Sequence, residues 1–198
     1  MGLNASVDLW HEIDLGQKQI KVLNLEHPDV ESRVVAEIDA GVDVYYDNRW
    51  EATESFGRLL YDRPELVAGK SVLIVGAGVG LETVVIGSLC SQLYINDLAP
   101  VSIELCLEQL AKNGITNVTA VPGKCQEIAM PPVDLIVGCF VVYERETRRA
   151  ISELLTRTPL PALLVNEELD AFRELIRSTD RTVDRIPIED GPTVVLLK

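Results

Sequence analysis

A short apolar run, Val72-Leu73-Ile74-Val75, passes without a break into Gly76-Ala77-Gly78-Val79-Gly80, and a helix-forming segment follows. Three glycines in five residues at that junction leave few folds open. Glycines lacking a Cβ let the backbone turn tightly and approach a ligand closely, and the helix beyond the turn offers unpaired N–H groups at its N-terminus. The junction therefore predicts strand, turn and helix with something nucleotide-like lying over the turn. A tight turn that only packs helix on strand is the alternative, and the glycines alone do not decide.

From residue 70 onward, buried apolar runs alternate with helical segments, as a parallel sheet covered on both faces requires. Strands are expected over 71–75, 93–96, 118–121, 133–137 and 162–165. Helices should fall near 79–90, 100–112, 144–156 and 167–178, the second stopping at Asn113-Gly114. Two last runs, 182–188 and 193–197, leave no room for a helix between them. Asp190-Gly191-Pro192 turns them into a hairpin, so the last strand is expected to be antiparallel. Ahead of this core, residues 7–25 read as a β-hairpin turning at Asp14-Leu15-Gly16-Gln17, and residues 28–40 and 50–61 read as helices. The expectation is one α/β domain over 1–198: an N-terminal hairpin and helical extension over 1–69 and a doubly wound, seven-stranded core over 70–198.

Charge narrows the partners. A net charge of −13 opposes binding to a nucleic-acid backbone, since such binders gather Lys and Arg on one face. A basic protein segment is the better match. Cys90, Cys106, Cys125 and Cys139 are widely spaced and form no CxxC pair, which points away from a zinc site or redox motif and toward reduced thiols in the cytoplasm. No apolar run reaches the roughly 18 residues of a membrane span. His11 and His27 have no partner in spacing and read as ordinary surface or hairpin residues.

Asp97 follows the second core strand, 21 residues after Gly76. At that separation an acid can accept hydrogen bonds from both hydroxyls of a ribose whose phosphate or adenosine lies on the glycine turn. A helix cap ahead of Leu98-Ala99-Pro100 is the competing role for Asp97, and the two are compatible. A dinucleotide fingerprint would put its third glycine where Leu81 stands. Here that glycine is Gly80, one residue early.

The GxGxG spacing and the closing antiparallel hairpin resemble the class I S-adenosylmethionine-dependent methyltransferases, with their Rossmann-like sheet. Within that superfamily the chain resembles the seven-strand protein lysine methyltransferases of the electron-transfer flavoprotein β-subunit lysine methyltransferase branch. The resemblance is carried by the N-terminal hairpin, by Arg49-Trp50-Glu51-Ala52-Thr53-Glu54, by the entry Ala68–Gly78, by Ile95-Asn96-Asp97, and by Asp134–Glu144, which ends in the counterpart of an Asp-x-x-Tyr segment. It implies S-adenosylmethionine as cofactor, held by Trp50, Gly76, Ala77, Gly78, Gly80, Asp97, Leu98 and Cys139. It also implies methyl transfer to a protein lysine, with Tyr143 and Glu144 as the catalytic pair. Orienting a neutral amine is the main requirement of that chemistry, and a tyrosine or carboxylate can position the amine and tolerate its proton loss.

Three positions depart from the family pattern. Ile74 stands where an acid normally precedes the first glycine, Gly123-Lys124 replaces an acid near the adenine, and Phe140 takes the place of the acid in Asp-x-x-Tyr. Each change removes negative charge facing a cationic cofactor. Glu51, Glu54, Glu82 and Glu144 are available to compensate, although each reads more simply as solvated helix charge. The losses leave a second reading, a methyltransferase fold kept as a binding or scaffolding module. The glycine turn with its acid leaves a third, an NAD-dependent oxidoreductase.

Overall fold

The computed structural model describes residues 8–42, 44–45, 52–188 and 191–198. At the N-terminus β1 (Trp10–Asp14) and β2 (Gln19–Leu23) pair antiparallel in their own small sheet. The Asp14 carboxylate closes the turn by accepting from the Gly16 N–H at 2.8 Å. Helix α1 (Pro28–Asp39) starts on His27, whose Nδ1 accepts from the Asp29 N–H at 3.2 Å, so that histidine is a helix cap. Helix α2 (Ala52–Asp62) buries Phe56 and Leu60, and a 3₁₀ turn at Pro64–Leu66 leads into the core.

The core strands are β3 (Ser71–Val75), β4 (Gln92–Asn96), β5 (Val118–Ala120), β6 (Leu135–Cys139), β7 (Ala162–Asn166), β8 (Val183–Ile186) and β9 (Thr193–Leu197). They form one seven-stranded sheet in the order β5-β4-β3-β6-β7-β9-β8, with β9 antiparallel to both its neighbours. Between strands run α3 (Leu81–Leu89), α4 (Pro100–Lys112), α5 (Arg145–Thr156) and α6 (Asp170–Ser178). The architecture is the expected one, an α/β sheet with an antiparallel last strand and an N-terminal hairpin. The turn at Asp190-Gly191-Pro192 lies partly outside the described residues.

Alternation along the strands divides the interior into two layers, because successive side chains point to opposite faces. Val72 and Ile74 of β3 pack with α2, α3 and α4. Leu73 and Val75 pack with Ile151 and Leu154 of α5 and Phe172 and Leu175 of α6. Central burial also explains α3, whose residues 81–87 are all buried and which therefore lacks a polar face. One expected strand is displaced: β6 covers 135–139 in place of 133–137. Asp134 is exposed and its carboxylate accepts from the Ser71 N–H at 2.8 Å, while Gly138 and Cys139 continue the ladder against β7. Gly138 pairs with Leu164 within the strand, and glycine is required there because a Cβ would lie 2.8 Å from Val141 Cγ2.

The extension is bolted to α4 by side-chain amides and carboxylates. Asn113 accepts from the Lys21 N–H at 2.9 Å and donates to the Lys21 carbonyl at 2.6 Å, and Gln109 Oε1 accepts from the Leu23 N–H at 2.8 Å. These contacts occupy the outer edge of β2, which would otherwise offer unpaired backbone groups. The buried Glu37 of α1 accepts from the Val101 N–H at 2.9 Å in the first turn of α4. No helix among the described residues is long and apolar enough to cross a membrane.

Candidate active site

The connection leaving β3 runs to β4 on one side, while β6 lies on the other, and ligands of open α/β sheets bind where the strand order divides in this way. At the carboxyl ends of these strands lies a cavity of about 510 Å³, within the usual range for small-molecule sites. The glycine turn forms part of its wall. Gly76 and Gly78 have φ of +59° and +52°, a left-handed conformation that other residues adopt only at a cost. A Cβ on Gly76 would also lie 2.6 Å from Val141 Cγ1. The turn is held against β4 by the Ala77 N–H, which donates to the Asn96 carbonyl at 2.9 Å.

Asp97 faces this turn. Its Oδ2 accepts from the Gly78 N–H at 2.9 Å and its Oδ1 from the Ala99 N–H at 3.0 Å. The N-cap of α4 is Ala99, and its helix-turn donor is served by Glu37, so Asp97 is not the cap of that helix. A carboxylate has about four acceptor positions, and two internal bonds leave capacity for ligand hydroxyls. Asn96, fully buried beside it, donates to the carbonyls of Val121 and Gly123 at 2.7 Å each and fixes the loop after β5.

The end of β6 supplies the opposite wall. Cys139 is buried there, and burial pushes its thiol well above its ordinary range. Phe140 follows at φ +54°, a left-handed conformation that a bulky side chain adopts only at a cost. Tyr143 and Glu144 both line the cavity. Tyr143 packs against Tyr45 with ring centroids 5.4 Å apart. Glu144 is the exposed N-cap of α5, and Thr147 Oγ1 accepts from the Tyr143 and Glu144 N–H groups at 3.2 and 3.1 Å.

Asn166, at the end of β7, clamps the segment that carries them. Its Oδ1 accepts from the Val142 N–H at 3.2 Å, and its Nδ2 donates to the carbonyls of Val142 and Glu167 at 3.1 Å each. Asn166→Ala should reduce stability by about 1–2 kcal/mol by leaving buried backbone groups unpaired. Urea unfolding reads the loss, and amide exchange at Val142 should accelerate more than exchange at Val72. Equal acceleration at the two positions would show that the clamp is not local.

Glu82 differs most from its expected role. Its place in a first helical turn predicts solvated charge, yet only 3% of it is exposed and it lines the cavity. Its carboxylate folds back against the Cα of Gly80, where any Cβ would collide with both oxygens. Oε2 has no hydrogen-bond partner among the described residues. Burial raises its pKa from 4.5 to about 7, with its own backbone N–H acting in the opposite direction. Glu54, by contrast, pairs with Arg58 at 3.4 Å.

The structure brings together Gly76, Ala77, Gly78, Gly80, Asp97, Leu98, Cys139, Tyr143 and Glu144 around one cavity. Trp50 and Glu51 lie outside the described residues. Ile74 is a fully buried core residue, and Lys124 sits exposed at the cavity, pairing with Glu127 at 3.5 Å. Apart from Trp50, sequence reasoning named no residue of the extension at the site, yet Val22, Leu23, Leu25 and Tyr45 also line the cavity. Their chain positions carried no such signal, because the wall is created by docking on α4.

No protein-family model matches the chain, and no curated protein matches it in sequence. Solved structures do. The chain is similar to the ribosomal protein L11 methylase of Lactobacillus delbrueckii subsp. bulgaricus, with a TM-score of 0.62 and 13% identity over 95% of this chain and 98% of that one. The N-methyltransferase NodS of Bradyrhizobium japonicum, solved with S-adenosyl-L-homocysteine, gives a TM-score of 0.60 and 16% identity over 84% and 95%. An rRNA methylase of Streptococcus thermophilus gives 0.55 and 17% over 75% and 96%. At such identities the likeness establishes the fold, and this chain has the Rossmann-like methyltransferase fold.

Proposed function

We propose that the protein is an S-adenosylmethionine-dependent methyltransferase of the cytoplasm acting on a lysine of a basic protein segment. The observation that carries this reading is the Asp97 carboxylate bonded to the Gly78 amide in the wall of the cavity. A cradle that a Cβ at Gly76 would fill and a carboxylate with spare acceptors suit an adenosyl group, while the buried Glu82 suits a cationic amino-acid end. Solved relatives of the fold that methylate a ribosomal protein or carry S-adenosyl-L-homocysteine support the cofactor. The preference for lysine rests on the resemblance of the Arg49–Glu54 and Asp134–Glu144 segments to the lysine methyltransferase branch.

In this reading Gly76, Ala77, Gly78, Gly80, Asp97, Leu98 and Cys139 hold the cofactor, with Trp50 proposed beside them. The bound cofactor supplies an electrophilic methyl group on a sulfonium. Tyr143 orients the incoming amine through its hydroxyl, while the Asn166 clamp keeps its backbone in place. Glu144, exposed at the start of α5, receives the amine's proton and passes it to solvent. The net charge of −13 attracts a basic acceptor by long-range steering.

Calorimetry with S-adenosylhomocysteine should give saturable heat, and NADH fluorescence should not change on mixing. Labelled methyl groups should reach a protein in an extract, and Tyr143→Phe should lower kcat about 10- to 100-fold with little effect on S-adenosylhomocysteine affinity. Absence of heat at millimolar ligand rejects the cofactor assignment. A scaffolding role is favoured by one specific observation, the apolar, buried Phe140 in the left-handed conformation where the family has an acid. Cofactor binding without any labelled protein would support it.

A further inference from the structure

We propose that the Glu82 carboxylate receives the cationic amino group at the amino-acid end of the cofactor, replacing the acid that Ile74 displaces; this rests on reading the cavity as an S-adenosylmethionine site. A carboxylate in this position is costly unless something cationic meets it, because burying an ionised group without a partner is strongly unfavourable. Glu82 is nearly inaccessible, lines the cavity, and leaves Oε2 without a hydrogen-bond partner among the described residues. Gly80 makes the placement possible, since a side chain there would displace both carboxylate oxygens. Ile74, two residues before the first glycine, has no polar atom to offer and is sealed in the core.

Among the described residues, the surroundings supply no competing cation. The Cys106 thiol of α4 and the Cys139 thiol of β6 are close enough to feel the charge of Glu82, and both are pushed up by burial and stay neutral. The α2 helix contributes Thr53 to the cavity, while its Glu54 and Arg58 pair with each other. Thr83, the neighbour on α3, donates its hydroxyl to the Gly80 carbonyl at 2.7 Å. At the end of β4, Asp97 is engaged with the Gly78 and Ala99 amides, and Lys124 pairs with Glu127. An ammonium entering this space would find one unmatched carboxylate. Burial raises the Glu82 carboxyl to about 7 in the empty protein, so entry of the cation expels a proton near neutrality.

The test is calorimetry on the full chain with S-adenosylhomocysteine and with adenosine, at pH 6 and pH 8, for the wild-type protein and Glu82→Gln. Wild-type affinity for S-adenosylhomocysteine should be roughly tenfold weaker at pH 6, with proton release on binding. Glu82→Gln should weaken S-adenosylhomocysteine about 10- to 100-fold at pH 8 and make its affinity independent of pH. Adenosine, which lacks the amino-acid end, should bind both proteins equally and so certify that the variant's cavity is intact. Equal affinity of the two proteins for S-adenosylhomocysteine overturns the inference while leaving the cofactor assignment standing. Parallel weakening of adenosine also overturns it, because Glu82 would then hold the cavity's shape. A wild-type protein that binds neither ligand removes the cofactor assignment itself and the inference with it.

Discussion

Without ligand, the wild-type protein should lose stability relative to Glu82→Gln as pH rises from 5 to 8, by about 2.5 kcal/mol over that range. The folded protein keeps the Glu82 proton up to about pH 7, whereas the unfolded chain releases it near 4.5. Between those values the folded state binds more protons than the unfolded state, so stability falls with rising pH and levels off above 7. The full separation, at about 1.4 kcal/mol per pH unit, amounts to roughly 3.5 kcal/mol, of which about 1 is already lost below pH 5. The many exposed carboxylates titrate in both proteins, and taking the difference between the two cancels them. Urea unfolding at pH 5, 6, 7 and 8 measures this difference. A difference that stays flat across that range would mean the carboxyl is hydrated in the folded protein.

The second large effect is expected at Gly76. An alanine there adopts a left-handed backbone at φ +59°, and its Cβ lies 2.6 Å from Val141 Cγ1. Conformation and overlap together should cost about 2–4 kcal/mol. Gly114→Ala separates the two contributions, since Gly114 has φ +74° and a Cβ there would meet nothing within 4 Å. Only the conformational part, about 1–2 kcal/mol, should appear at that position. Thermal or urea unfolding of both variants gives the comparison. If Gly76→Ala is no worse than Gly114→Ala, the segment after β6 yields easily and Val141 does not hold the turn in place.

Much of this fold could be read directly from the chain. Val72–Val75 with its glycine turn, the regular alternation after residue 70 and the closing pair of strands correspond to elements that local pattern determines, because burial on two faces leaves a continuous apolar signature. Asp97 was legible for the same reason, being tied to the turn by spacing. Glu82 was not. A glutamate in a first helical turn ordinarily faces solvent, and only the space left by Gly80 two residues earlier lets it fold inward. The roles of the Asn96, Gln109 and Asn166 amides were invisible too, since the partners that matter lie 24 to 86 residues away and sequence periodicity carries no information about them. The displacement of β6 arose at Gly138, where a residue that commonly ends strands was required by close packing.

Gln109 has a consequence for the whole molecule. One side-chain amide accepts from Leu23 in the hairpin and donates to the carbonyls of Val79 and Gly80 in the glycine turn, at 3.3 and 3.2 Å. The residues preceding the sheet and the loop that cradles the ligand are thus tied through a single buried group on α4. A fragment trimmed to residues 70–198 would be missing a wall and would also release a tether on its own glycine loop. The first third of the polypeptide belongs to the binding apparatus as much as the glycines do.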